Sequence, residues 1–438
     1  MSDENTARHA ECTVEFDGVD ITSSIMPYLL SLSFIDNEED ASDDLQIKLQ
    51  DRDGIWMESW LQQMIDGDVS AASSDGYKVG DVVQFLGGPH YKASTDKKAN
   101  GNPKAGPAKI TIIKQGALHP YHVIHTDGTS RVYGWVDASE ISGKSGGSSS
   151  DSGEGGLKIR ATITACNWHS DGKDEALDCG EFELDSINAS GPPDIITIKA
   201  TGLPYTSQIR QTKQSKGWEK YKLSGIANEM AKKNGMKSQF LAKKDPEYKR
   251  VEQYRCSDID FLSQLCHDAG LSLKCTDGKL VIFDQKEYEG KDSAWTVTKD
   301  DKSYIKWSHT LGQAGTQYAS CRVSYVGPNG KPIEGIAYVK DYDAKSKTNQ
   351  QLEVYAPVTS KTEAKELAAK KLRLHNKFER QVGFTYHGDP GKVAGLTFET
   401  KSFGPWDGKY IVKQAKHTVT GSGGYTTQVS GRHVLGGY

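Results

Sequence analysis

The sequence predicts a β-rich α+β multidomain chain. It has two β-barrel domains, a small α+β module between them, and a further small barrel inserted into the first. Three observations carry this prediction. Period-2 apolar alternation recurs towards both ends of the chain. Helix-spaced apolar residues with cap signals gather in the middle. Residues 77–141 read as a complete small barrel, followed by Ser142 to Gly156, which is mostly Gly and Ser. Such a stretch cannot bury enough surface to fold and behaves as a flexible tether. The interrupted domain therefore resumes near Leu157.

The bulk numbers set bounds. At 438 residues the chain exceeds one core, and two to four domains are expected. Its 54 basic and 58 acidic residues give a net charge of −4, with no footprint for nucleic acid. The 45 glycines and 20 tyrosines suit turn-rich β-structure. Met1 to Asn5 has no basic start and no apolar run, so no signal peptide is expected. No apolar stretch approaches the ~20 residues that span a bilayer. The best candidate, Ile25 to Ile35, contains Pro27, Ser31 and Ser33. Seven cysteines without paired spacing suit a reducing cytosol.

In the first domain, Leu45, Ile47 and Leu49 alternate with Gln46, Lys48 and Gln50, a strand with one buried face, and Asp51 to Gly54 breaks it. Strands resume at Leu157–Thr164, Gly180–Ile187 and Ile195–Ile198. The module holds a helix over Leu223–Lys233, stopped at Asn234-Gly235. A second helix has Ser257 as N-cap, Asp260 in its first turn and Gly270 as stop. A hairpin then turns around Thr276-Asp277-Gly278. In the last domain, Ser360 to Glu363 fits a capping box with a helix behind it, and Val382, Phe384 and Tyr386 alternate with polar neighbours. Further strands lie near Leu396–Phe398, Tyr410–Val412 and Tyr425–Val429.

Several stretches in this order resemble the late control D family, the baseplate hub proteins of contractile phage tails and phage-tail-like bacteriocins. They are Phe34 to Asn37 with Asp43 to Trp56, Asp258 to Leu265 with Ala269 to Leu273, and Gly404 to Val412 with His417 and Tyr425-Thr426. The insert departs from the family pattern. By itself it resembles a bacterial SH3 domain, through Val79 to Val83, Gly106 to Ile110 and Tyr133 to Val136. The family resemblance implies two tail-tube-like β-barrel domains. Three copies would then present six barrels to a six-fold tube and three-fold symmetry to a spike. The domains are 1–71 with 157–217, the SH3-like insert 77–141, the linker 142–156, the α+β module 218–290 and the second barrel 291–438.

Candidate chemistry is sparse. His119, His122 and His125 invite a zinc reading, but strand geometry turns His122 away from the other two. Cys266-His267 are helix neighbours whose side chains diverge, so Cys266 reads as a buried structural thiol. The acidic run Asp36 to Asp44 lacks the alternate ligands and central Gly of a calcium loop and reads as a solvated turn. No phosphate-binding Gly-rich motif is present. The insert carries 8 Lys/Arg against 5 Asp/Glu, +3 in a chain of −4, together with exposed-candidate aromatics. Tyr91, Tyr121, Tyr133 and Trp135 are the candidate contacts to an anionic, sugar-bearing cell-wall polymer. The alternative is that these rings are core, since so small a barrel needs large side chains.

The expectation is a non-enzymatic, cofactor-free, metal-free hub of a contractile injection particle. Its partners would be two further copies of itself, the tail tube protein, the spike, other baseplate proteins, the tape measure protein and peptidoglycan. Nucleic acid and membrane insertion are not expected. The rival is a peptidoglycan hydrolase targeted by its SH3-like insert, and a third reading is a free cell-wall adhesin.

Overall fold

The computed structural model describes residues 8–435 apart from 17, 53, 55, 57–76, 78–80, 115, 127–129, 145–156, 169–172, 204–207, 313–316, 328–329, 341 and 348. The entry joins of the insert (Asp66 to Asp68, Ala71 to Gly76) and most of the Gly/Ser stretch lie outside the described residues. Among the described residues no helix is long and apolar enough to cross a membrane.

The first unit opens with β1 (His9–Phe16), β2 (Val19–Asp20), β3 (Leu29–Asn37) and β4 (Asp44–Gln50). Leu45, Ile47 and Leu49 are buried, as their alternation predicts. The insert supplies β5 (Val82–Phe85), β6 (Gly106–Ile113), β7 (Tyr121–His125), β8 (Tyr133–Val136) and β9 (Ile141–Lys144). These form one antiparallel sheet, in the order β8-β7-β6-β5-β9, around a core of Val83, Phe85, Ile110, Tyr121 and Val123. The first unit resumes with β10 (Lys158–Cys166), β11 (Glu175–Ser190) and β12 (Ile195–Thr201). Because β10 pairs with β1 and β12 with β4, the split unit rejoins across the interruption. Ile124 of the insert is buried in the first unit's core cluster, and Tyr133 packs against it. The insert therefore rests on its host, where the sequence suggested a module held only by a tether.

The middle module comprises β13 (Gln214–Lys222), α1 (Leu223–Lys233), β14 (Lys237–Phe240), β15 (Glu247–Cys256), α2 (Asp258–Ala269), β16 (Ser272–Thr276), β17 (Lys279–Phe283) and α3 (Gln285–Glu289). Ser257 Oγ accepts from the Asp260 N–H at 3.2 Å, and Gly270 takes the left-handed conformation at φ +69°. Both ends of α2 are thus set by the residues whose chemistry predicts them. Asp277 and Gly278 both have positive φ, the backbone a two-residue type I′ hairpin requires. The long β13–β15 ribbon was not legible as such.

The second unit comprises β18 (Trp295–Thr298), β19 (Tyr304–Leu311), β20 (Ser320–Val326), β21 (Pro332–Tyr338), β22 (Gln351–Tyr355), α4 (Lys361–Asn376), β23 (Arg380–His387), β24 (Thr397–Lys401), β25 (Gly408–Thr420) and β26 (Tyr425–His433). Ser360 caps α4 as expected, while Glu363 reaches back to the Thr359 N–H instead of that of Ser360. The helix does not pack on the barrel. Ala364, Ala368 and Leu372 build a separate core with Cys321 and Val323 of β20. The approach is so close that a Cβ at Gly335 of β21 would overlap the α4 backbone at Ala364–Lys365. The second β-domain is therefore itself interrupted by a small α+β unit.

Thirteen strands of the described residues join both units into one sheet, in the order β19-β23-β26-β25-β3-β4-β12-β11-β10-β1-β2, with β24 and β18 branching from β25. The joint is β25. Its first part pairs with β24, and after a register shift between Val412 and Gln414 the rest pairs with β3. One strand thus belongs to both units and fixes their relative placement.

Candidate functional site

The four aromatics singled out in the insert divide into different environments. Tyr121 is 1% exposed and sits in the insert's own core, edge-on to Tyr77. Trp135 is 2% exposed and lies edge-on to His122. Tyr121 fills the interior of this small sheet, and Trp135 lies opposite His122 on its other face. Tyr133 is half-buried against the first unit. Tyr91 is half-buried and exchanges two 2.8 Å backbone hydrogen bonds with Trp135. Gly134 makes this approach possible: at φ +149° a Cβ would meet the Tyr91 carbonyl at 2.6 Å.

The Tyr91 ring stacks on His119, with centroids 3.5 Å apart and planes 12° apart. His119 is buried. Its Nδ1 lies 2.7 Å from Asp137 Oδ1 and its Nε2 2.8 Å from the Asp96 carbonyl oxygen. Each ring nitrogen thus has a polar partner. This local network organises the Tyr91 face. His122 instead meets Thr111 Oγ1 at 2.6 Å, and burial together with nearby His90 pushes its pKa down to about 4. His125 faces the Val132 carbonyl. The three histidines thus go to three separate partners.

The acidic run Asp36 to Asp44 corrects its sequence reading. Asp36, Glu38 and Asp43 are buried at the meeting point of every unit but the insert. Arg432 of β26 is wholly buried and takes Glu38 through two nitrogens, at 2.9 and 2.6 Å, and Glu289 of α3 at 2.5 Å. Arg373 of α4 bonds Glu289 and Asp284, both at 3.2 Å. Lys377 pairs with Glu39, which also accepts from Ser272 Oγ at 2.5 Å. Lys274 of β16 reaches Asp36 at 2.5 Å and Asp43 at 3.5 Å. Burial opposes the charge on Arg432, but Glu38 and Glu289 outweigh it and hold its pKa above the ordinary arginine value. Burial pushes Asp43 up to about 6, against the pull of Lys274. Asp40 lies 2.9 Å from His267, which raises the pKa of that histidine. The run reads as solvated from sequence because its basic partners lie 227–394 residues away.

Cys266 is fully buried and its thiol is pushed upward by burial, while His267 turns to Asp40, so the two form no nucleophile–base pair. A cavity of about 310 Å³ borders Asp36, Asp43 and Lys274. Its four carboxylates are already engaged, Asp36 by Lys274 and the Ala394 N–H, Asp43 by the Asn37 N–H, Asp178 by Arg160 and Asp277 by Lys279. The β1–β10 register also places His9, Glu11 and Cys166 with ligand atoms within 4.8 Å of one another, a cluster the sequence reading missed because it spans 157 residues. Its carboxylate is exposed.

The most exposed apolar surface on a strand of the large sheet lies on β19, where Ile305 is 53%, Trp307 43% and Leu311 49% exposed. Trp307 packs edge-on to Phe403 at 5.6 Å, and His309 stacks on Trp406 at 5.4 Å. The second unit's core cluster thus opens to solvent along this strand. It is the last strand of the sheet on its side.

No family model matches the chain, and no curated protein matches it in sequence. Among solved structures it is similar to the tail protein from Neisseria meningitidis MC58, with a TM-score of 0.56 and 8% identity over 97% of each chain. It is also similar to the 43 kDa tail protein of prophage MuSo2 from Shewanella oneidensis, with a TM-score of 0.52 and 11% identity over 97% of this chain and 96% of that one. The chain has the β-rich multidomain fold of these tail proteins over nearly its whole length.

Truncating a buried ion pair and an exposed one should have unequal costs. Arg432→Met leaves Glu38 in the interior without its guanidinium partner and Glu289 with Arg373 alone, and should cost about 3–5 kcal/mol. Lys158→Ala, at the exposed Lys158–Glu181 pair, should cost about 0.5 kcal/mol or less. Urea midpoints of the two variants that differ by little would contradict this assignment.

His417 is the second case. It is buried, lies 2.7 Å from the Tyr425 hydroxyl, and is pushed by burial from 6.5 down to about 4. Its folded pKa lies below its unfolded one, so unfolding takes up a proton once the pH falls below about 6.5. The stability it contributes is complete above that pH and is lost towards pH 4, by about 3 kcal/mol. Asp43 works in the opposite sense, its contribution fading as pH rises from 3.8 to about 6. The wild type should lose more of its melting temperature between pH 7 and pH 4 than His417→Gln does; equal slopes would remove His417 as the cause.

Proposed function

We propose that this chain is the structural hub of a contractile injection particle, a phage tail or a bacteriocin. It would assemble as a homotrimer that joins a six-fold tail tube to a three-fold spike. Its remaining partners would be other baseplate proteins and the tape measure protein. The observation that carries this reading is the sharing of β25 by two β-units. A hub between six-fold and three-fold parts needs two tube-like units per chain held in fixed relation, and a shared strand supplies that rigidity. The likeness to two tail proteins supports the same reading through fold. A non-enzymatic role agrees with the engaged state of Asp36 and Asp43 and the separation of Cys266 from His267. The test is native mass spectrometry with negative-stain imaging of the pure chain, alone and with its particle's tube and spike proteins. Three copies in a three-fold ring are expected. One copy or six per ring in the assembled particle would overturn the proposal.

The insert is proposed to contact cell wall through Tyr91, with Tyr133 at the margin. The +3 charge and the SH3 resemblance favour this, and Tyr91 is chosen over Tyr121 and Trp135 because those two are 1% and 2% exposed. The chain should co-sediment with purified host cell walls, and Tyr91→Ala should release it while circular dichroism shows the fold retained. Retention of Tyr91→Ala would move the contact elsewhere. Release of soluble sugar or new amino termini in the same incubation would favour the hydrolase reading.

A further inference from the structure

The two β-units carry opposite charge. Residues 1–71 with 157–217 contain 10 Lys/Arg and 25 Asp/Glu, a net of −15. Residues 291–438 contain 22 Lys/Arg and 13 Asp/Glu, a net of +9. The chain's −4 conceals this, because 72–156 and 218–290 each sum to +1. Where the units meet within one chain, the opposite charges pair: Glu38 with Arg432 and Glu39 with Lys377. The excess beyond those pairs lies on other faces.

The acidic excess is concentrated at one end of the large sheet. The stretches 9–20, 158–166 and 174–183, which carry β1, β2, β10 and the first part of β11, hold nine Asp/Glu and two Lys/Arg. Glu11, Asp20, Asp174, Glu175 and Asp178 are exposed there. The other end is β19, where the stretch 299–311 holds three Lys and two Asp, and Lys302 and Lys306 are exposed beside Ile305, Trp307 and Leu311. An edge strand bearing large apolar side chains invites pairing with another chain.

We infer that the β19 edge of one copy docks on the acidic β1–β10–β11 face of the next copy. The occupant is a second copy because the two faces belong to one chain, have opposite sign and lie at opposite ends of one sheet. A contact between unlike faces is heterologous and closes into a ring when its rotation fits. In that ring acidic and basic units alternate, and each unit meets an oppositely charged neighbour twice, once within its chain and once across copies. Charge then fixes the direction of assembly as well as its partner, since acidic-to-acidic and basic-to-basic contacts repel. The inference rests on the trimer proposed above.

The test uses the full chain and two charge-reversal pairs, Lys302→Glu/Lys306→Glu and Glu11→Lys/Glu175→Lys. Sedimentation velocity across protein concentration measures assembly, and circular dichroism melts confirm folding. The wild-type trimer should weaken as salt rises from 50 to 500 mM. Each reversal alone should raise the dissociation constant at least ~10-fold. Both reversals in one chain restore opposite faces and should return assembly to within about 3-fold of wild type. Folded single reversals that trimerise like the wild type would overturn the docking and leave the trimer standing. So would a combined variant that fails to recover. A wild type that stays monomeric at every concentration and salt, alone and with tube and spike proteins, would overturn both.

Discussion

Arg432 is the group on which the arrangement of this molecule depends. It is wholly buried, and its two carboxylate partners come from different places: Glu38 follows β3 of the first unit and Glu289 ends α3 of the module. Burying a guanidinium and two carboxylates is costly, and it is tolerated only where geometry satisfies all three. Here the geometry exists only when first unit, module and second unit are seated together. The cluster therefore specifies a relative placement more than it supplies strength. An apolar interface would tolerate sliding by a residue; a forked guanidinium held between two carboxylates does not.

The same logic extends outwards through side chains that each bridge two units. Lys377 follows α4 and takes Glu39, while Lys274 of β16 takes Asp36 and Asp43. Arg373 shares Glu289 with Arg432 and adds Asp284. Asp36, Glu38, Glu39 and Asp43 thus touch the module, β26 and the residue that follows α4. The backbone reinforces this through β25, whose register shift lets one strand leave β24 and continue beside β3. Side-chain specificity and strand sharing impose one relation between the two β-units, a relation that assembly then has only to repeat.

What could be read in the sequence was local. Ser257, Asp260 and Gly270 announce α2 because capping involves residues three to four apart. Leu45, Ile47 and Leu49 announce β4 because a half-buried strand repeats every two residues. The hairpin at Asp277-Gly278 follows from backbone preferences of those two residues. What escaped was set by distance along the chain. Asp36 to Asp44 looked like a solvated turn, since no cation lies within the run. Helix α4 was expected, but its separate core with β20 was not, because an Ala-rich stripe fits any apolar partner. In the insert, composition flagged Tyr91, Tyr121, Tyr133 and Trp135 alike; only the three-dimensional packing separates the half-exposed Tyr91 from the buried Tyr121 and Trp135.

The position of the insert also has a physical reason. It leaves after β4 and returns before β10, and these strands are not neighbours in the sheet; β12 and β11 stand between them. The connection must therefore span the unit whatever its length, and the entropy of closing a loop grows only slowly as residues are added. A folded domain in that connection costs the host little, provided its own core is complete. The insert meets that condition with Val83, Phe85, Ile110, Tyr121 and Val123. Its seat on the host is made by Ile124, which alternation directs away from the insert's core side chain Val123 and into the first unit's cluster. One strand, β7, thus faces two cores, and the passenger is oriented by its own sheet rather than by its tether.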